Sequence, residues 1–175
     1  MPATALPQPI PRLGAKINFA IALCCAVFII VLTLSAYWDQ SIRVLHVFEA
    51  LPYLLAGALC FRYSKFGYAL GFAGGALWLW MAGVLTTFVR NGFERIAMLI
   101  KAEHVDQPEI MIAVPAALAT AGLVLFSLWG YALLSTRWKD IGIFVLAALL
   151  VSGFYIGIFA AFAPQYLGMV NKVVR

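Results

Sequence analysis

Ile17-Asn-Phe-Ala-Ile-Ala-Leu-Cys-Cys-Ala-Val-Phe-Ile-Ile-Val-Leu-Thr-Leu-Ser-Ala-Tyr37 runs for 21 residues without a formal charge. Crossing roughly 30 Å of hydrocarbon takes about 20 helical residues. The run is continuously apolar and does not alternate, so it reads as a helix and not as a barrel strand of about 10 residues. Arg12 and Lys16 give it the basic flank of a signal peptide. Its apolar stretch is longer than the roughly 7–15 residues of such a segment, and Leu34-Ser35-Ala36 is a poor cleavage site. The expectation is a retained transmembrane helix.

Four similar stretches follow: Val44–Phe61, Phe66–Val89, Ile110–Leu134 and Ile141–Ala163. With the first, they hold 111 of the 175 residues and a single formal charge, Glu49. The whole chain is 65% hydrophobic and 11% charged. An ordinary soluble domain is about 45–50% apolar and about 25% charged. So few charges cannot cover a water-exposed surface, which excludes a soluble globular domain. Disorder is excluded as well, because it needs low hydrophobicity and high charge. The expected fold is all-α, a polytopic membrane protein with a single domain of five transmembrane helices over residues 17–163.

Met1–Lys16 carries four prolines and reads as an extended tail; residues 164–175 form a C-terminal tail. Asn91-Gly92 reads as a turn after the third span. Phe93, Ile96, Ala97 and Ile100 then recur at helical spacing, which predicts a short amphipathic helix lying in the headgroup region. Lysines and arginines divide six against six between the two sides of such a bundle. The short basic loops at Arg62/Lys65 and Arg137/Lys139 tip the expectation to a cytoplasmic N-terminus in the cell (inner) membrane. Trp38 and Trp138 fall at helix ends, where an aromatic belt is expected. The net charge of +5 is dispersed, so the expected partners are the lipid bilayer and other membrane subunits or a second copy, and no nucleic acid.

Apolar side chains gain nothing by leaving lipid for one another, so helix association in a membrane rests on close backbone approach at small residues. Gly67, Gly71 and Gly75, with Gly83 beyond them, form such a stripe in the third segment. Ala113, Ala117 and Ala121 form one in the fourth, and Gly153, Gly157 and Ala161 one in the fifth. The expectation is that these stripes pack the five helices on each other, with an oligomer interface as the alternative.

The sharpest chemical feature is Arg43-Val-Leu-His46-Val-Phe-Glu49-Ala-Leu-Pro52. Arg43, His46 and Glu49 share one helix face at spacings of three. A carboxylate about two turns into a span is costly unless it is paired, protonated or facing a cavity. The three residues are candidates for a proton or cation relay, or for a cofactor held by His46, whose identity the sequence leaves unknown. Trp78 and Trp80 are candidates for the wall of a flat or cationic ligand site. Cys24, Cys25 and Cys60 read as small buried hydrophobes. Glu103, His104, Asp106 and Glu109 read as a solvated loop end, and no metal site is assigned.

Arg43-x-x-His46 followed by Phe48-Glu49 is similar to a first-helix pattern of the proton-coupled PACE efflux proteins, but with different spacing and one copy only. Glu49-x-x-Pro52 is similar to a pattern of MAPEG enzymes, without its Asn and additional Arg. Cys24-Cys25 resembles the pair of mercuric-ion transport proteins, without their second pair. These short patterns assign no family. The sequence favours a non-catalytic subunit of a larger membrane complex. The alternatives are a small proton-coupled transporter or channel using Glu49 and His46, and a membrane-embedded enzyme.

Overall fold

The computed structural model describes residues 12–134 and 140–173. Helix α1 spans Arg12–Trp38. It is joined by a 3-10 turn, Gln40–Ile42, to α2 (Arg43–Cys60). Helix α3 covers Lys65–Trp80 and runs on into a π-helical turn, Met81–Leu85. Helix α4 covers Phe88–Ile100; a 3-10 turn, Pro108–Ile112, leads into α5 (Ala113–Ala132). Helices α6 (Ile141–Phe162) and α7 (Pro164–Val173) complete the described chain. Five helical stretches are long and apolar enough to cross a membrane: Leu13–Trp38, Gln40–Cys60, Lys65–Leu85, Pro108–Ala132 and Ile141–Phe162.

Besides shifts of a few residues at span ends and the helix α7 within the expected C-terminal tail, three features differ from the sequence expectation. Arg12–Lys16 belongs to α1 and not to the proline-rich tail, because nothing after Pro11 breaks a helix more strongly than the single Gly14. The rest of that tail and Trp138 lie outside the described residues. The third span ends at Leu85, and Asn91-Gly92 lies inside α4 instead of forming a turn. The chain reverses at Thr87, with φ 53°. Gly92 is there for packing: a Cβ would sit 2.9 Å from the Ala113 Cβ and 3.1 Å from the Ile110 carbonyl oxygen. On α4, Phe93 and Ile100 are exposed, turned away from the bundle.

Helix α3 is the hub. It packs against α5, α2 and α6, while α1 packs against α5 and α2. Gly67, Gly71 and Gly75 make these approaches possible. A Cβ on Gly67 would meet the Leu59 Cβ at 2.6 Å and the Cys60 backbone nitrogen at 3.0 Å. On Gly71 it would meet the Ser127 hydroxyl at 2.7 Å, and on Gly75 the Thr120 carbonyl oxygen at 3.0 Å. Ala113 and Ala117 of α5 are buried. The stripe continues differently from the expectation elsewhere. Gly83, Gly153 and Gly157 have no neighbour within 4 Å of a Cβ position. The π turn, with its wider hydrogen-bond spacing, carries Gly83 off the glycine face. Helix α6 meets the bundle through Ala147, Val151, Tyr155, Ile158 and Phe159, so its glycines face outward.

Gly67→Ala and Gly75→Ala press a methyl group onto backbone of a neighbouring helix. Each is expected to cost about 1–3 kcal/mol, the range for overpacking, and Gly157→Ala to be neutral; thermal unfolding in mild detergent measures all three.

Candidate functional site

Antiparallel traversal brings the end of α1, the start of α2, the π turn, α4 and the end of α6 to one end of the bundle, where α7 also lies. A cavity of about 410 Å³ opens among them. Phe28, Trp78, Phe88 and Phe159 give it apolar walls, Asn91 of α4 and Tyr166 of α7 line it, and Ser35, His46 and Glu49 supply polar groups.

Glu49 is 5% exposed. Its Oε2 lies 2.7 Å from His46 Nδ1, one turn back on α2. The other ring nitrogen, Nε2, lies 3.0 Å from the Ser35 hydroxyl in the last turns of α1. With Glu49 ionised, a carboxylate that only accepts takes its hydrogen bond from Nδ1–H, which leaves Nε2 of a neutral ring to accept from the serine. Two residues earlier, Thr33 bonds back to the Ile29 carbonyl at 2.8 Å, the usual outlet for a helical hydroxyl. Ser35 makes no such bond among the described residues; it reaches across to α2. The second oxygen of Glu49 likewise accepts no hydrogen bond among them and borders the cavity.

Arg43 does not join this chain. It is exposed, and its Nε donates to the Ala36 carbonyl at 3.3 Å, which fastens α2 to the end of α1. Asp39 orders the link between them by accepting from the Ser41 hydroxyl (2.6 Å) and backbone N–H (2.9 Å). Those two bonds hold the Asp39 carboxyl below its ordinary range. Trp78 lines the cavity and meets Phe28 edge-on at 5.1 Å between ring centres. Trp80, two residues on, is 39% exposed on the far side of α3. Of the two tryptophans, Trp78 alone reaches the site.

Sequence reading missed Ser35, Asn91 and Tyr166, which come from α1, α4 and α7. Partial burial raises the Tyr166 hydroxyl above its ordinary range, and the Glu49 and Asp39 carboxylates add to the shift. Tyr53 donates to the Gly74 carbonyl at 3.2 Å and accepts from the Tyr155 hydroxyl at 3.5 Å, which ties α2 to α3 and α6.

Both nitrogens of His46 are engaged, so a metal or haem iron on the ring would have to displace Ser35 or Glu49. Among the described residues, no group of three His, Cys, Asp or Glu side chains is arranged to hold a metal. His104 and Asp106 approach to 3.3 Å and are both highly exposed, as suits a solvated loop end. Compared with protein-family models, curated proteins and solved structures, the chain matches none.

His46→Ala leaves the Glu49 carboxylate buried and unpaired. The expected loss is about 3–5 kcal/mol, the range for breaking a buried pair from one side. Glu49→Gln keeps an acceptor for His46 Nδ1 and is expected to cost clearly less. Thermal unfolding of the two variants in detergent ranks them.

Proposed function

We propose that the chain is an integral protein of the cell membrane, N-terminus cytoplasmic, with its cavity on the opposite face. There it admits a small, flat, largely apolar molecule or organic cation and moves it in exchange for a proton, as a small proton-coupled carrier. One observation carries this reading: a buried carboxylate, joined to an imidazole, borders an open apolar cavity. An intramembrane carboxylate is expensive and marks function by default. The imidazole beside it has two ring nitrogens through which a proton can be relayed. The aromatic walls suit a flat or cationic ligand. Helices α4 and α7 lie at the cavity mouth, and the exposed Phe93 and Ile100 of α4 suit the headgroup region.

The subunit reading keeps one observation of its own. Gly153, Gly157 and Ala161 form an exposed small-residue face on α6, of the kind that admits a partner helix. Purification from native membranes in mild detergent would then yield a second membrane protein that Gly157→Leu releases.

The carrier reading is tested in proteoliposomes with a pH-sensitive dye inside, an acidic lumen and ethidium outside. Ethidium is expected to drive proton efflux through the wild type and to have no effect with Glu49→Gln. Equal efflux from both would refute the role of Glu49.

A further inference from the structure

We infer that Ser35 is a nucleophile and that the cavity cleaves carboxylic esters of lipophilic acids. The inference rests on the reading that the cavity admits a small molecule and that His46 takes a proton; it does not need transport.

Ser35 Oγ is 3.0 Å from His46 Nε2, and His46 Nδ1 is 2.7 Å from Glu49 Oε2. That is the polarity of a nucleophile, a base and an orienting carboxylate. Such a constellation is recognised by geometry and role, whatever the fold or the order in the chain. Burial of Glu49 keeps the carboxylate on the imidazole and away from water. An ionised Glu49 favours the tautomer with its proton on Nδ1, whose free Nε2 lone pair points at the serine. A serine in a helix ordinarily spends its proton on a backbone carbonyl; this one instead lies 3.0 Å from an imidazole nitrogen.

The surroundings fit an acyl group. The walls are apolar, and the cavity lies at the end of the bundle where α4 and α7 meet it, which is where an amphiphile would present its ester. Asn91 lines the same cavity, and its side-chain amide has no hydrogen bond among the described residues, so it is a donor available to an oxyanion. The π turn beside it, and the left-handed Thr87 that follows, place Asn91 there.

The step balances. Ser35 Oγ bonds to the ester carbonyl carbon as its proton passes to His46 Nε2. The carbon–oxygen bond of the ester then breaks, and that proton leaves with the alcohol. Water adds to acyl-Ser35 by the same route, releasing the carboxylic acid and restoring the serine. An alkyl fluorophosphonate follows the first half only: a phosphorus–oxygen bond forms, phosphorus–fluorine breaks, and fluoride leaves.

The full chain, purified in mild detergent, is treated with an alkyl fluorophosphonate, and the modified peptide is located by mass spectrometry. A phosphonyl adduct on Ser35 is the expected result. No adduct, or one on another residue, overturns the inference without recourse to any variant. With 4-nitrophenyl hexanoate, Ser35→Ala is expected to fall to the protein-free rate. His46→Gln is expected to lose about 100-fold or more, the usual contribution of a general base. Wild-type rates in Ser35→Ala would also overturn it. An unmodified Ser35 together with ethidium-driven proton efflux refutes the ester chemistry and leaves the carrier standing. A modified Ser35 without that efflux does the reverse.

Discussion

A carboxylate withdrawn from water among apolar helices has to be paired, and much of one end of this molecule is arranged around that requirement. Glu49 enters α2 two turns from its start. His46, one turn back on the same helix, meets it at 2.7 Å. The ring then needs a partner for its far nitrogen, and Ser35 on α1 supplies it. The α1–α2 hairpin is locked in the register that allows this by Arg43 on the Ala36 carbonyl and by Asp39 on Ser41. Side chains in and beside the short link therefore serve a bond formed one turn deeper.

The close approach of α3 to its neighbours is the second constraint. Gly67, Gly71 and Gly75 bring the backbone of α3 against α2 and α5, and this carries Trp78 and the π turn to the cavity wall. With a larger residue at any of these positions the helices would separate, and the cavity would lose one side. The outward-facing Gly153 and Gly157 show that the same sequence signature carries two different meanings in one chain. A small-residue stripe marks where a backbone is left open, not which surface closes on it.

The five long helices were legible because their signal is one-dimensional: length and the absence of charge set it, and no tertiary contact is needed. His46 and Glu49 were legible for the same reason, since a spacing of three on one helix is a local fact. Ser35 was not. Its proximity to His46 depends on how a four-residue link folds, and an uncharged serine in an apolar run carries no mark of its own. Asn91 was misread because Asn-Gly is a strong turn signal, whereas here the glycine is demanded by contact with α5. Trp80 was singled out with Trp78, but two residues along a helix turn a side chain to another face, and the structure separates them.

The central claim is that one histidine is held between a serine on α1 and a carboxylate on α2. The chain has two histidines, and His104 is exposed, so it serves as an internal control. Nitrogen-15 NMR of histidine-labelled protein in lipid nanodiscs reads the protonation of each ring nitrogen. The account predicts a His46 ring locked in one hydrogen-bonded form, with Nε2 and Nδ1 signals that shift on Ser35→Ala and Glu49→Gln respectively, while His104 responds to neither. A His46 spectrum that averages both tautomers, as an exposed ring does, and ignores both substitutions would contradict it.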